Sequence, residues 1–405
     1  MAEPYIVKGA TADGFAEVEA EFARNFTERA ELGAACTIYY RGEKVVDLWG
    51  GYRKDHEPWL ENTKVPAFSA TKGAAAIALL KLYSEGRIDL AEKVASYWPA
   101  FSQNGKETIT VRELITHQAG LVLLEDKLSV EDLYHPETVA KELERAKPLW
   151  KPGRYQGYHA STIGLFMSEL VRRTDPKGRR LGQYFREEIA EPLALDFHIG
   201  LPETISADEI SEIKLLDSVR GLLNIQKMPA GIRKVALNPT SLFVKSITVV
   251  KDFDPNDPVT WRAEHPSGNG IGTARSLACL YSDLACGGEM LNLTEETVRA
   301  IFSYPERPVF GYLDQVMNIE TRYGLGFMKP DPTFSYSPEP TAAGFLGVTG
   351  SFAFADPVRE VGYAYLTRKM GYYGVNDPRE KNVREAMYHC IEALEYGIKD
   401  VKKGE

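Results

Sequence analysis

Four residues, Ser69-Ala70-Thr71-Lys72, and the alanine-rich run that follows them constrain this chain most strongly. Residues 73–80 are small or apolar, so a helix formed by them can pack deep inside the protein. A serine and a lysine three residues apart at the start of such a helix lie on one face, about one turn apart. The sequence therefore predicts a buried helix with Ser69 and Lys72 paired in its first turn.

This pair has the chemical make-up of an activated nucleophile. Serine attacks poorly on its own and needs a neighbour that takes its proton. Lys72 can do so where its surroundings disfavour the charged form. The free N–H groups of the first helical turn, that of Ser69 included, can stabilise the oxyanion that forms. The alternative is that Ser69 serves only as the N-cap of the helix.

The same spacing occurs a second time, at Ser211 and Lys214. About one chance occurrence is expected in a chain of this length. Ser211 has three carboxylates within three residues, which predicts a solvated helix face, whereas Ser69 follows the apolar residues 65–68. The context favours Ser69 as the nucleophile.

The composition is that of an ordinary globular protein. The chain has 405 residues and a net charge of −9, and its Lys and Arg residues are scattered along the sequence. We expect no nucleic-acid partner, because no basic stripe is available to neutralise phosphates. No apolar run reaches the length of a membrane-spanning helix, and we expect no membrane partner.

The cysteines and histidines predict neither disulfides nor a metal site. Cys36, Cys279, Cys286 and Cys390 show no C-x-x-C spacing, which is typical of reduced thiols in a cytoplasmic protein. The seven histidines are isolated and form no H-E-x-x-H motif, so we expect no metal and no organic cofactor. Residues 1–5 lack the basic and apolar regions of a signal peptide.

Predicted strands lie at both ends of the chain. An amphipathic helix over residues 11–31 is followed by a hairpin over 34–49. Further strands are predicted at 351–355 and 361–366, before a closing helix at about 379–396. This order implies one sheet built from N- and C-terminal segments.

The predicted elements divide the chain into two domains. Residues 1–75 and 290–405 form the predicted α/β domain, and residues 76–289 form a mainly helical one. A Pro- and charge-rich stretch at about 200–265 has no clear period and is predicted to cover the substrate pocket. Ser69 falls at the junction of the two domains, where pockets tend to form.

Six segments of the chain resemble sequence patterns of the serine β-lactamase-like superfamily, and they occur in the same order as in that family. The second of them, T-V-R-E-L-I-T-H-Q-A-G-L, is similar to the family pattern T-V-R-x-L-L-T-H-x-S-G-L. The resemblance runs nearly end to end and is to the branch of class C β-lactamases and family VIII carboxylesterases. It implies an α+β fold of the β-lactamase/transpeptidase type, with an antiparallel sheet flanked by N- and C-terminal helices plus an all-helical domain. The segments are 69–72, 109–121, 150–160, 268–275, 323–327 and 344–357.

The resemblance also implies the remaining catalytic groups. Tyr158 follows a Pro-Gly pair at the family's spacing and would shuttle a proton between Ser69 and the leaving group, with Tyr155 as the nearest rival. Its pKa would have to fall well below about 10, and a charged Lys72 beside it would lower that pKa. The N–H of Val348 would complete an oxyanion hole with that of Ser69.

Two departures from the β-lactamase pattern predict the substrate class. Ala160 stands where β-lactamases have an asparagine that binds the substrate amide, and Phe345 stands where they have a lysine or histidine that binds its carboxylate. A site without these groups leaves a buried carboxylate and amide unpaired. Phe345 instead offers an apolar wall, and Gly347 would keep its strand close to the substrate.

Three further residues are candidate substrate contacts with a structural alternative. His159, next to Tyr158, would touch the substrate or only pack. Asn269 would shape a turn or donate a hydrogen bond to the substrate, and Trp261 would form a pocket wall.

The sequence therefore predicts a serine carboxylesterase that forms a covalent acyl-enzyme on Ser69 and acts on a small-molecule ester. The alternatives are an acyltransferase or transesterase of secondary metabolism, and a β-lactamase or DD-peptidase-like amide hydrolase. The sequence does not separate water from an alcohol as the acyl acceptor. An inactive binding protein on the same fold is the non-enzyme alternative.

Overall fold

Strands from both ends of the chain form one antiparallel sheet in the computed structural model. The structure describes the backbone of residues 6–403 and the side chains of residues 6–217 and 221–397. Residues 1–5, on which the expected absence of a signal peptide rests, lie outside the described residues. Within the described residues, no helix is both long enough and apolar enough to cross a membrane.

The secondary-structure elements are named in chain order. The strands are β1 Val7–Thr11, β2 Gly33–Tyr40, β3 Glu43–Lys54, β4 Glu57–Pro58, β5 Val65–Pro66, β6 Leu128–Ser129, β7 Phe197–Ile199, β8 Val250–Lys251, β9 Gly270–Gly272, β10 Tyr323–Gly324, β11 Phe327–Met328, β12 Ala343–Leu346, β13 Phe352–Asp356 and β14 Val361–Thr367. The helices are α1 Ala16–Glu28, α2 Thr71–Ser84, α3 Val94–Tyr97, α4 Val111–Ile115, α5 Pro136–Arg145, α6 Thr162–Thr174, α7 Leu181–Phe185, α8 Ser218–Leu223, α9 Ala230–Ala236, α10 Leu242–Ile247, α11 Pro258–Arg262, α12 Ala274–Ala285, α13 Glu295–Ile301 and α14 Pro378–Lys403.

The large sheet has the strand order β1-β3-β2-β14-β13-β12-β11-β10, with β4 added beside β3. The N- and C-terminal segments meet where β2 pairs with β14, in a register that sets Cys36 opposite Tyr365. Helices α1 and α14, from opposite ends of the chain, pack against each other. This arrangement confirms the predicted α+β fold with an antiparallel sheet and flanking terminal helices.

Helix α2 is buried on nearly every side because its first half is alanine and glycine. It packs against α6 and α7 and also against β11 and β12. Gly73 is required for this position, since a Cβ there would lie 1.8 Å from the hydroxyl oxygen of Tyr281 on α12. The predicted buried central helix is therefore present, between the sheet and the helical region.

Helix α12 lies against the sheet, where it packs on β14, β2 and β13. The predicted division had placed it in the helical domain of residues 76–289. Its apolar side chains, among them Leu277 and Leu284, are fully buried. The sequence shows that α12 is amphipathic but not which layer covers its apolar face.

Candidate functional site

Ser69 lies in a tight turn between a short strand and the central helix. The turn is a 3-10 helix over Phe68–Ala70, between β5 and α2. Strand β5 pairs with β9, and the Ala67 N–H continues that pairing by donating to the Gly270 carbonyl at 2.8 Å. Phe68 has a φ of 49°, which a bulky residue rarely adopts. The backbone is held in a strained conformation directly before the serine.

The Ser69 hydroxyl lies between two functional side chains instead of capping the helix. The Tyr158 hydroxyl donates to Ser69 Oγ at 2.7 Å. Lys72 Nζ lies 3.0 Å from the same oxygen. The residue before α2 is Ala70, which makes no side-chain cap. Ser69 therefore makes the contacts of a nucleophile, and the N-cap alternative does not describe its hydroxyl.

Lys72 is positioned to act as a neutral amine. Its side chain is fully buried, and Nζ donates to the Ser267 carbonyl at 2.6 Å. Within the side chains described, no carboxylate lies within ion-pair distance of it. Burial lowers the pKa of Lys72 well below the ordinary lysine value of 10.5. An amine with one hydrogen on Ser267 O and a lone pair facing Ser69 Oγ can accept the serine proton.

The surroundings of Tyr158 favour the neutral phenol, contrary to the prediction of a lowered pKa. Burial raises the pKa of Tyr158 above its usual value of 10, and the buried Asp314 carboxylate adds to the rise, while the Ser69 hydrogen bond opposes it. The Tyr158 N–H donates to Asp314 Oδ1 at 3.2 Å. These surroundings thus favour a phenol that donates to Ser69 Oγ and, beside it, a neutral Lys72 amine that can take the Ser69 proton.

These two shifts predict the pH dependence of the site. We expect kcat/KM for a neutral ester to rise with pH through the lowered pKa of Lys72, because only the neutral amine takes the Ser69 proton. It should then stay high until the Tyr158 phenol ionises above its usual pKa. A pH–rate profile of the wild-type protein checks this. An acid limb near the ordinary lysine pKa would contradict the assignment of Lys72 as base.

Replacing Tyr158 by phenylalanine removes one hydroxyl and should lower kcat/KM by about 100-fold, because Lys72 remains in place. Tyr155 is the matched control, since its ring stacks on Phe310 with centroids 4.7 Å apart, away from Ser69. Tyr155→Phe should leave kcat/KM within about twofold of wild type. Steady-state kinetics on p-nitrophenyl butyrate compare the two. A harmless Tyr158→Phe with an inactive Tyr155→Phe would reverse the assignment.

A cavity of about 480 Å³ opens directly over Ser69. Its walls come from the sheet, from the 370–375 loop and from the predicted covering insertion, and they are mostly apolar. Among the side chains that the structure describes, those that line it include no lysine and no arginine. Its lining includes Phe68, Tyr158, Ala160, Leu216, Met228, Ile232, Phe243, Ile247, Met317, Met328, Phe345 and Met370.

Strand β12 brings the predicted third motif to this cavity. The Phe345 ring is buried and stacks on the Tyr158 ring, with centroids 6.0 Å apart. Gly347 lies so close to the Ser69 turn that a Cβ would come within 2.5 Å of the Ala67 carbonyl oxygen. Within residues 6–403, neither the Ser69 nor the Val348 N–H donates to a backbone carbonyl, and both residues line the cavity. The geometry thus suits the predicted oxyanion hole.

His159 lies behind the cavity wall and not on it. The ring is fully buried, with Nε2 accepting from the Leu121 N–H at 2.9 Å and Nδ1 3.1 Å from Nδ1 of His117. Burial lowers the pKa of His159 to about 3, so the ring is neutral. Both nitrogens are used within the protein, and the substrate contact predicted for His159 is wrong.

Asn269 and Trp261 also serve the protein's own backbone. The Asn269 amide donates to the carbonyls of Thr260 and Ala263, and its oxygen accepts from the His265 N–H at 3.0 Å. The Trp261 indole N–H donates to the Pro255 carbonyl at 2.6 Å. Neither side chain lines the cavity. The turn-shaping alternative for Asn269 is confirmed, and the wall position predicted for Trp261 is wrong.

Two residues that position the catalytic groups were missed by the sequence analysis. Ser267 supplies the carbonyl that holds Lys72, and its hydroxyl caps the Gly164 N–H of α6 at 2.7 Å. Asp314 is fully buried and binds both the Tyr158 backbone and the Tyr323 hydroxyl, the latter at 2.9 Å. Ser267 directly precedes a family segment, whereas Asp314 has no motif around it.

The competing Ser211 makes its hydrogen bonds to Arg53 and Lys64, outside the catalytic group, and is not where the sequence placed it. Instead of a solvated helix face, it occupies a fully buried position outside any helix. Its hydroxyl donates to the Arg53 carbonyl at 2.9 Å, and its N–H donates to the Lys64 carbonyl at 2.8 Å. Ser211 is a structural residue that links two extended segments.

Comparisons with known proteins agree with this arrangement. The family model described as Beta-lactamase matches residues 20–388. The esterase/beta-lactamase LipL of Mycobacterium tuberculosis is 34% identical over 90% of this chain and 83% of its own length. A family VIII carboxylesterase structure has a TM-score of 0.81 and 31% identity, over 95% of this chain and all of that one. A penicillin-binding protein homologue from Caulobacter crescentus has a TM-score of 0.82 and 34% identity, over 95% of this chain and all of its own. The chain therefore belongs to the β-lactamase family, on the branch that contains family VIII carboxylesterases.

Proposed function

We propose that this protein is a serine carboxylesterase that hydrolyses esters through an acyl-enzyme on Ser69. One observation carries the proposal: Ser69 Oγ lies 2.7 Å from the Tyr158 hydroxyl and 3.0 Å from Lys72 Nζ, at the wall of a mostly apolar cavity whose described lining contains no lysine or arginine. The LipL and family VIII carboxylesterase relatives support the same chemistry.

In the proposed acylation step, Ser69 Oγ bonds to the ester carbonyl carbon and its proton passes to Lys72. The oxyanion is held by the N–H groups of Ser69 and Val348. The carbon–oxygen bond to the alcohol then breaks, the Tyr158 phenol protonates the leaving alkoxide, and the Lys72 ammonium returns the proton to the phenolate. Water then takes the place of the alcohol and the proton transfers run in reverse order: the water oxygen bonds to the acyl carbon, the bond to Ser69 Oγ breaks, and the acid is released.

The cavity walls favour substrates with apolar groups on the reacting ester. Apolar walls bind alkyl chains by the hydrophobic effect and offer no ion pair to a carboxylate. Four methionines, Met228, Met317, Met328 and Met370, line the cavity, and their flexible side chains adapt to different shapes. We therefore propose short or medium acyl esters as the substrate class.

Intact-protein mass spectrometry after incubation with a panel of p-nitrophenyl esters tests the proposal. We expect a transient mass increase equal to the acyl group, located on the peptide that contains Ser69. The Ser69→Ala variant is the matched control and should gain no mass. An adduct on another residue, or ester cleavage by Ser69→Ala at the wild-type rate, would exclude the mechanism.

Acyl transfer to an alcohol is the second candidate, and the apolar lining of the cavity favours it. An apolar alcohol is concentrated by these walls, whereas water is not. Adding butanol to the esterase assay tests the acceptor. Formation of the butyl ester at the expense of free acid would identify an acyltransferase, and unchanged acid release would identify a hydrolase.

We also propose a cytoplasmic location. The four cysteines are free thiols, and two of them, Cys36 and Cys390, are buried. Free thiols are typical of a reducing compartment. Fractionation of the native host cells, followed by activity assays, tests this location.

A further inference from the structure

Residues 214–251, here called the roof, contain the short helices α8, α9 and α10, of which α9 and α10 cover the active-site cavity. On α9, Ile232 and Ala236 line the cavity, and on α10 Phe243 and Ile247 do the same. Residues four apart lie on one face of a helix. One face of α9 and one face of α10 are therefore committed to the cavity.

The roof also exposes large aliphatic side chains to solvent. Leu222 and Leu223, at the end of α8, are 62% and 70% exposed, and Leu237, just after α9, is 54% exposed. None of the three lines the cavity. An exposed pair of adjacent leucines is unfavourable in water unless something covers it.

The same segment is strongly basic in an acidic protein. The roof contains seven Lys and Arg residues and one acidic residue, Asp217, which gives it a net charge of +6 in a chain of net charge −9. Arg233, Lys234 and Lys245 make no ion pair with any side chain that the structure describes. Lys234 is two residues from Ile232, and Lys245 two residues from Phe243, which places both cations away from the cavity face.

We infer that the outer face of the roof docks on an anionic lipid surface. Short helices with exposed leucines and unpaired lysines lie in the plane of a membrane interface, with the leucines at the acyl boundary and the lysines at the phosphates. The charge of the roof is complementary to such a surface, although the lack of an apolar run of membrane-spanning length had predicted no membrane partner. With the roof on the lipid, ester substrates enter the cavity from the lipid phase; this step rests on the proposed esterase function.

Vesicle co-sedimentation of the full-length protein tests the docking. We expect binding to phosphatidylglycerol vesicles, weak binding to phosphatidylcholine vesicles, and a decrease with added salt. Each lysine near an anionic surface contributes about fivefold to binding. Reversing two charges, in Lys234→Glu/Lys245→Glu, should therefore weaken binding by at least about 20-fold, and Leu222→Ser/Leu223→Ser should also weaken it.

Matched controls lie outside the roof. Lys141→Glu and Leu60→Ser change an exposed lysine and an exposed leucine elsewhere and should leave vesicle binding unchanged. All of these variants should keep wild-type kcat/KM on soluble p-nitrophenyl butyrate, because none of the altered residues lines the cavity. The Ser69→Ala variant should still bind vesicles, so a failure of docking is separable from a failure of the esterase proposal.

Three outcomes would overturn the inference. They are equal binding to both vesicle types, loss of binding in the control variants, and a loss confined to the lysine variant. The last would indicate electrostatic adsorption alone, since docking at the acyl boundary of a lipid interface also needs the leucines.

Discussion

Replacing Ser69 with alanine should remove essentially all ester turnover, a loss on the order of 10⁴-fold or more in kcat/KM, while the protein remains folded. The hydroxyl is the only group of this side chain that contacts Tyr158 and Lys72. Its removal deletes the nucleophile and leaves both partners in place. Stopped assays with p-nitrophenyl butyrate, together with circular dichroism, measure the two parts of the expected result.

Ser211→Ala is the matched control, because Ser211 is also followed by a lysine three residues later. Loss of its hydrogen bond to the Arg53 carbonyl should lower the free energy of unfolding by about 1 kcal/mol. Its kcat/KM should not change. Wild-type turnover by Ser69→Ala, or an inactive but folded Ser211→Ala, would show that the nucleophile had been misassigned.

The regular elements were predictable because their sequence patterns are local. The hairpin predicted over residues 34–49 corresponds to β2 and β3, and the alanine-rich run corresponds to α2. Ser69 and Lys72 come directly before that run, and their spacing of three residues predicts that they lie on one face, although Ser69 itself lies in the 3-10 turn that leads into α2. Helix periodicity could not predict the role of Tyr158, because it is 89 residues from Ser69 and only the spacing typical of the family connects the two.

The residues that position the catalytic groups were not predictable from residue type. Ser267 acts through its backbone carbonyl, which every residue has, and Asp314 acts through a buried carboxylate far along the chain. His159 follows Tyr158 directly, but its ring is turned into the protein towards His117. Which side of an irregular segment faces a cavity depends on packing that no local pattern encodes.

The ionisation of the site also depends on tertiary burial. A charged Lys72 beside Tyr158 would lower the pKa of the phenol, which was the basis of the prediction. In the folded protein Lys72 is fully buried and Tyr158 is partly buried at the cavity wall, and burial disfavours the charged form of each. The pKa of Lys72 falls, which fits the sequence expectation that Lys72 takes the serine proton, whereas the pKa of Tyr158 rises instead of falling.

Short or medium acyl esters should be cleaved far better than penicillins or cephalosporins. In a β-lactamase site a cationic side chain binds the carboxylate of the antibiotic, and here Phe345 occupies the predicted position of that residue. Its ring is buried against Tyr158, and Ala160 lines the same cavity without an amide. Losing a charged partner in a desolvated site costs about 2–5 kcal/mol, or roughly 30- to 4,000-fold in kcat/KM.

The comparison of p-nitrophenyl butyrate with nitrocefin on one preparation measures this preference. Neutral esters do not use the missing cation, so their kcat/KM should be little affected. The loss in kcat/KM therefore falls on the β-lactam alone. Phe345→Lys should raise nitrocefin turnover slightly, because it returns a cation to the carboxylate position, although burial would weaken that charge. Phe345→Leu, which keeps the wall apolar, is the matched control and should give no gain. A clear preference of the wild-type protein for nitrocefin would refute both the assignment of Phe345 to the third motif and the ester specificity argued from it.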